Sequence, residues 1–117
     1  MEGARFERAD DPALFGGQSL VGLGVYPAAA RLMERYGSKI ALALIGPGGE
    51  MGLLAAGIQN LDKDRVPSRI AARGGMGAVM GSKGLKAIVI DARGGQKPPI
   101  LDPEAYKQAQ KTYTQAL

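Results

Sequence analysis

The chain has 117 residues, of which 45% are hydrophobic, and its formal net charge is +4. This length and composition allow one domain with a modest core and are not those of a disordered segment. The sequence contains neither Cys nor His. Their absence excludes disulfides, Cys or His metal ligands, a Cys nucleophile and a His general base within these 117 residues.

The basic balance suits an anionic partner such as nucleic acid, anionic lipid or a phosphorylated cofactor, although the charges are interleaved as on an ordinary solvated surface. The first residues have no apolar stretch after a basic one, so they do not predict a signal peptide. The longest fully apolar run, residues 40–45, is far too short to span a bilayer. We therefore expect a cytoplasmic protein without a membrane partner.

The first half of the chain predicts a strand, a helix and a second strand. Residues 4–8 alternate weakly, as in an edge strand. Apolar residues at helical spacing predict a helix over about 27–36, with Pro27 in its first position and Gly37 just past its end. Residues 39–45 predict a short buried strand that ends at the Gly/Pro turn 46–49. Residues 53–58 fit either a strand or a helix, and the polar stretch after them favours the strand.

The second half predicts two helices on either side of the clearest strand. Residues 76–83 predict a short helix that opens from Gly74 and Gly75, and the β-branched run 85–91 predicts a strand. A Gly/Pro-rich connector follows, and Asp102 then caps a helix with Pro103 in its first position. We expect an α+β fold, a mixed β-sheet with short packed helices, in a single domain over residues 1–117. The last helix has no stop signal and the first strand no preceding partner, so we expect this domain to be incomplete.

Residues 65–86 are the part of the chain that most strongly suggests a binding site, because five basic residues and five glycines occur together there. They are Arg65, Arg69, Arg73, Lys83 and Lys86, with Gly74, Gly75, Gly77, Gly81 and Gly84. Glycine lets backbone N–H groups approach an anion, and Arg offers planar paired donors. The stretch therefore predicts a phosphate-binding loop. A purely structural glycine turn is the alternative, since close packing also demands glycine. The order of residues is not that of a Walker loop.

Three further features have a structural and a functional interpretation. Met76 and Met80 share a helix face, which favours core packing over a soft metal ligand. The stretch 46–50 is a tight turn or a second wall of the same pocket. Glu50 either caps the next element, which we favour, or accepts hydrogen bonds from the N–H groups of a heterocycle.

Two stretches, in this order, resemble the aldehyde ferredoxin oxidoreductase family. The first is Gly-Pro-Gly-Gly-Glu at 46–50, where Gly48 stands in place of the family's usual Ala. The second is Arg-Ile-Ala-Ala-Arg-Gly-Gly-Met-Gly-Ala-Val-Met-Gly-Ser-Lys at 69–83, followed by Gly-Leu-Lys-Ala-Ile at 84–88. In this run Ala72 replaces the family's usual Gly. The resemblance is clearest over residues 26–90.

The resemblance implies part of the N-terminal cofactor-binding domain of an enzyme that oxidises small aldehydes to carboxylic acids and passes electrons to ferredoxin. The family binds tungsten, sometimes molybdenum, between two pterins whose phosphates are bridged by magnesium. A four-iron, four-sulfur cluster lies nearby in the full enzyme, but this chain has no Cys to hold it. The remaining domains of the enzyme would then be partners, and this fragment or subunit would be inactive alone.

Carried onto this sequence, the resemblance implies that Arg69 and Arg73 contact pterin phosphate and that the carbonyl of Ile70 ligates magnesium. The implied cofactor-binding residues are Arg69, Ile70, Ala71, Arg73, Gly74, Gly75, Gly77 and Lys83. No catalytic residue is expected in this chain. A stand-alone basic module that binds phosphate or nucleic acid is the alternative, and the lack of aromatic residues over 65–86 counts against nucleic acid. A third hypothesis is a non-functional truncation product.

Overall fold

The computed structural model describes residues 3–8, 19–96 and 98–117, the first of these ranges by its backbone alone. The strands of this part of the chain are β1 (Gly3–Arg8), β2 (Ala41–Leu44), β3 (Ile58–Asn60), β4 (Arg69–Ala71) and β5 (Leu85–Asp91). Its helices are α1 (Val25–Tyr36), α2 (Pro47–Glu50), α3 (Met76–Ser82) and α4 (Pro103–Ala116).

The strands form one sheet in the order β1-β5-β2-β3-β4. The expected α+β class with short helices is confirmed, and β1 is an edge strand as predicted. The pairing differs in one respect from the mixed sheet that we expected, because all described strand pairs are antiparallel. The connection between β3 and β4, residues 61–68, is too short for the crossover that a parallel pair requires.

Helix α1 covers one face of this sheet. Its Ala28, Ala29 and Leu32 are fully buried at helical spacing and form the core with strand residues including Leu42 and Val89. The helix begins at Val25, two residues before the predicted start. Pro27 is tolerated inside the first turn because the N–H groups there have no partner within the helix.

Several predicted elements are confirmed, namely the strand at 39–45, the helix at 76–83, the strand at 85–91 and the capped helix after Asp102. The prediction of a strand over 53–58 is wrong. The chain turns there, with Gly52 at φ +71° and Ala56 N–H donating to Leu53 O at 2.8 Å, and β3 begins only at Ile58. The predicted turn 46–49 is instead most of the single-turn helix α2.

Candidate phosphate-binding site

Helices α2 and α3 pack backbone against backbone through glycine. A Cβ on Gly81 would lie 1.8 Å from the carbonyl oxygen of Gly49, and a Cβ on Gly77 would lie 2.4 Å from that of Gly57. The N–H of Gly77 donates to Ala56 O at 2.9 Å. The structural interpretation of these glycines therefore has direct support. Contact of Gly77 with a phosphate stays a prediction.

The turn that leads into α3 is formed by Gly74 and Gly75. Their φ angles are +85° and +63°, a conformation that side chains disfavour. A Cβ on Gly75 would lie 2.4 Å from Leu54 O, whereas a Cβ on Gly74 would meet no atom within 4 Å. Gly74 is exposed, so its backbone can be approached from outside. The turn borders a surface hollow of ≈ 360 Å³, lined by Gly52, Leu54, Gly74, Gly75, Ala78, Val79 and Ser82.

Three of the predicted cations, Arg69, Arg73 and Lys83, are exposed. Arg73 immediately precedes Gly74 and so lies at the turn, whereas Arg69 opens β4, five residues before Gly74. Lys83 follows the last residue of α3. At a rise of about 1.5 Å per residue, its backbone lies roughly 10 Å along the helix from the turn. Lys83 therefore lies at the opposite end of α3 from the turn.

The other two basic residues of the stretch each have a hydrogen-bond partner within the protein. The side chain of Lys86 is completely buried, donates to Leu23 O at 2.7 Å and forms an ion pair with Glu50. Arg65 donates from its guanidinium to Ile40 O at 2.6 Å. The prediction that Lys86 adds to the phosphate-binding loop is therefore wrong. Arg65 is exposed, and its hydrogen bond to Ile40 O leaves its guanidinium less available than those of Arg69 and Arg73. A Lys beside the apolar run 87–90 of β5 is the sequence signal that could have indicated burial.

The contacts of Glu50 also differ from those that we predicted. It is neither the cap of the next element nor a free acceptor for a heterocycle, because one carboxylate oxygen pairs with Lys86 and the other accepts the N–H of Gly22 at 2.7 Å. Because the ammonium group of Lys86 is buried, it requires a charged or polar partner, and the Glu50 carboxylate is that partner.

Among the strands that the structure describes, β4 is an edge strand of the sheet, and Ile70 is its middle residue. Antiparallel strands alternate hydrogen-bonded and non-hydrogen-bonded residue pairs. Ile45 N–H donates to Lys86 O at 3.0 Å, which fixes this alternation across β2 and, through the strand registers, across β3 and β4. In that alternation the N–H and C=O of Ile70 point away from β3, while those of Arg69 and Ala71 point towards it. The Ile70 carbonyl is thus not used by the sheet.

A hydrogen-bonded loop holds the start of β4. The carboxylate of Asp62 accepts the Ser68 hydroxyl at 2.7 Å and the N–H groups of Asp64 and Val66 at 2.8 and 2.9 Å. The Ser68 hydrogen bond is the main cause that lowers the pKa of Asp62, and the charge of Arg69 adds to it. These hydrogen bonds therefore fix the backbone immediately before Arg69.

Within the described ranges, no group of three or more His, Cys, Asp or Glu residues is arranged to hold a metal ion. Nor does that part of the chain contain a helix that is both long and apolar enough to cross a membrane.

Comparison with known proteins agrees with the resemblance in sequence. Residues 1–92 match the family model described as the N-terminal domain of aldehyde ferredoxin oxidoreductase. The chain therefore belongs to the aldehyde ferredoxin oxidoreductase family.

Its relatives include three curated proteins, each named a tungsten-containing aldehyde ferredoxin oxidoreductase. That of Pyrococcus furiosus is 41% identical over 86 residues, which are 73% of this chain and 13% of that protein. That of Thermococcus kodakarensis is 40% identical over 88 residues, 74% of this chain and 13% of that protein. That of Pyrococcus horikoshii is 44% identical over 72 residues, which are 61% of this chain and 11% of that protein. The chain thus matches little more than a tenth of the length of these relatives.

Proposed function

We propose that this chain is part of a tungsten-pterin aldehyde oxidoreductase and contributes a loop that binds the pterin phosphates. The observation that carries the proposal is the turn at Gly74, whose open backbone follows Arg73 directly; the exposed Arg69 lies five residues earlier, at the start of β4. Among the residues that the structure describes, neither arginine has a hydrogen-bond or ion-pair partner. Both guanidinium groups are therefore available to an external anion.

The residues fit a phosphate-bearing group in two ways. Guanidinium groups give paired donors to phosphate oxygens, and a glycine without a neighbour within 4 Å leaves room for close approach of the ligand to the backbone. In this assignment Arg69 and Arg73 bind phosphate, while Gly74 and Gly75 permit close contact. Ala71, Gly77 and Lys83 complete the proposed set; the packing of Gly77 and the distance of Lys83 make them secondary contributors.

The Ile70 carbonyl is the proposed magnesium ligand. Magnesium prefers oxygen ligands and is commonly held together with substrate phosphates rather than by a dedicated protein cage. A carbonyl on an open sheet edge, one residue from Arg69, suits this arrangement.

The remaining parts of the proposal come from the family. The bound metal, tungsten or molybdenum, would supply the oxidation of an aldehyde to a carboxylic acid, and this chain's residues would bind and orient the pterin phosphates. An iron–sulfur cluster, ferredoxin as electron acceptor and the remaining domains belong to the proposed whole enzyme. Residues 1–117 as one incomplete domain, inactivity of this chain alone and a cytoplasmic location also stay predictions.

Isothermal titration of the chain with inorganic pyrophosphate tests the assignment. We expect Arg69→Gln and Arg73→Gln each to weaken binding by about tenfold or more, because a charge-assisted hydrogen bond contributes roughly 1.5–3 kcal/mol. Arg65→Gln is the matched control, since it removes the same charge from the same stretch but its guanidinium already contacts Ile40 O. Unchanged affinity in both test variants would refute the loop assignment.

Titration with a single-stranded oligonucleotide separates this proposal from the alternative of a nucleic-acid-binding module. We expect no binding at moderate salt. Binding that weakens steadily with rising salt, with pyrophosphate ineffective as a competitor, would support the alternative.

A further inference from the structure

A buried ion pair joins three segments of the chain. Lys86 in β5 donates to Leu23 O in the loop before α1 and pairs with Glu50 at the end of α2. The second carboxylate oxygen of Glu50 accepts the N–H of Gly22 in that same loop. The exposed fraction is 0% for the Lys86 side chain and 15% for that of Glu50. The pair therefore ties α2 to the sheet and to the loop before α1 from inside the protein.

The position of helix α2 determines the position of helix α3. Gly49, the neighbour of Glu50, lies backbone against backbone with Gly77 and Gly81, so no flexible side chain between the helices could absorb a displacement. Helix α3 in turn begins at the Gly74–Gly75 turn. Moving the Glu50 end of α2 must therefore also move the turn that follows Arg73, because packed backbones do not deform gradually.

We propose that Glu50 and Lys86 are positioning residues for the turn at 73–75. They act through the contact between α2 and α3 and do not touch the phosphate themselves. This inference rests on the proposed function, since it assumes that the turn binds phosphate. Removal of one partner leaves a buried charge unpaired, which favours displacement of α2 towards solvent. Neutral, similarly shaped replacements of both partners leave no such charge, so the two substitutions should partly compensate.

Four forms of the chain test the proposal: the unaltered sequence, Glu50→Gln, Lys86→Met and the double variant. Affinity for inorganic pyrophosphate is measured by titration calorimetry, at a temperature where circular dichroism shows each form to be folded. We expect each single variant to bind about tenfold more weakly and the double variant to recover most of this loss. If Lys86→Met does not fold, Glu50→Gln and the double variant supply the comparison.

Arg93→Gln is the matched control, because it breaks the other ion pair of β5, Asp91–Arg93, at the far end of the strand. A general loss of stability would lower affinity in this control as well, and that result would overturn the positioning role. Amide exchange of residues 74–77 gives a second readout. We expect faster exchange there in Glu50→Gln and unchanged exchange in Arg93→Gln.

The outcomes separate this inference from the proposed function. If Arg73→Gln weakens pyrophosphate binding but Glu50→Gln and Lys86→Met do not, the positioning role is refuted and the phosphate loop stands. If Arg69→Gln and Arg73→Gln bind like the unaltered chain, the phosphate loop is refuted, and the positioning role with it.

Discussion

The backbone of Gly81 lies so close to Gly49 that a Cβ built on Gly81 would stand 1.8 Å from the Gly49 carbonyl oxygen. A real Cβ cannot occupy that position without moving one of the two backbones. The contact joins α3 to α2, and α2 carries the half-buried carboxylate of Glu50. Close glycine packing is thus the physical link between the domain interior and the candidate phosphate-binding turn.

Replacement of Gly81 by Ala should therefore destabilise the protein. The methyl group would overlap with backbone rather than with a flexible side chain, so we expect a loss of at least about 2 kcal/mol in the free energy of unfolding, in the range known for overpacked interiors. Urea unfolding followed by circular dichroism measures this loss. A variant as stable as the unaltered protein would show that the two helices can separate at little cost.

Gly48→Ala is the neighbouring control. A Cβ at this position would meet the side chain of Leu53 at 3.6 Å, an ordinary van der Waals contact. Its φ angle is not positive, so Ala fits the backbone. We expect stability to be unchanged or raised by about 0.5 kcal/mol, since Ala loses less conformational entropy on folding than Gly.

Much of this fold could be predicted because local sequence signals and packing agree. The strand β5 and the helices α1, α3 and α4 have clear periodicity or terminal signals, and the structure confirms them. The α2 helix and the turns at 51–56 were missed. A helix of four residues is too short for any periodicity, and an Ala-rich stretch beside glycine has the composition of both a strand and a turn.

The candidate site could be predicted only in part, because sequence does not separate exposed from buried charge. Arg73 and Lys86 belong to the same basic stretch, yet the first is exposed and the second is buried against Glu50. The partner of Lys86 lies 36 positions away in sequence, so no local pattern indicates the pair. The glycines were ambiguous for the same reason. Close approach to a ligand and close approach to another helix require the same residue.

Ser68→Ala tests whether the hydrogen-bonded loop 62–68 positions Arg69. The Ser68 hydroxyl is the main cause that holds the pKa of Asp62 below the usual aspartate value of 3.8, so its removal should raise that pKa. Carboxyl carbon NMR titration measures the change. We also expect pyrophosphate affinity to fall by a few-fold, because Arg69 would be less well positioned. A pKa of Asp62 that does not move would show that the backbone N–H groups suffice.

Asp102→Ala tests the cap of α4. The Asp102 carboxylate accepts the N–H groups of Glu104 and Ala105 at 3.1 and 2.9 Å, and loss of such a cap costs about 1 kcal/mol of helix stability. No residue of α4 is buried, so we expect fraying confined to this helix, seen as reduced helical Cα chemical shifts near Pro103. The midpoint of global unfolding should stay unchanged. A shifted midpoint would indicate that α4 stabilises the sheet after all.

Arg93→Gln should change the response of the protein to acid. The Arg93 guanidinium donates to the Asp91 carboxylate at 2.9 Å and is the main cause that lowers the pKa of Asp91 to about 2. Because the folded-state pKa lies below the usual aspartate pKa of 3.8, this carboxylate stabilises the fold above about pH 3.8. The stabilisation is lost progressively as the pH falls towards 2.

In Arg93→Gln the hydrogen bond from the backbone N–H of residue 93, at 3.1 Å, remains while the guanidinium is gone. The pKa of Asp91 should therefore rise from about 2 without losing every stabilising contact. We expect the unfolding free energy to be lower near neutral pH and to depend less on pH between about 4 and 2, because the folded and unfolded states then bind protons more alike. Urea unfolding at several pH values measures this dependence. A slope equal to that of the unaltered protein would mean that Arg93 does not control the ionisation of Asp91.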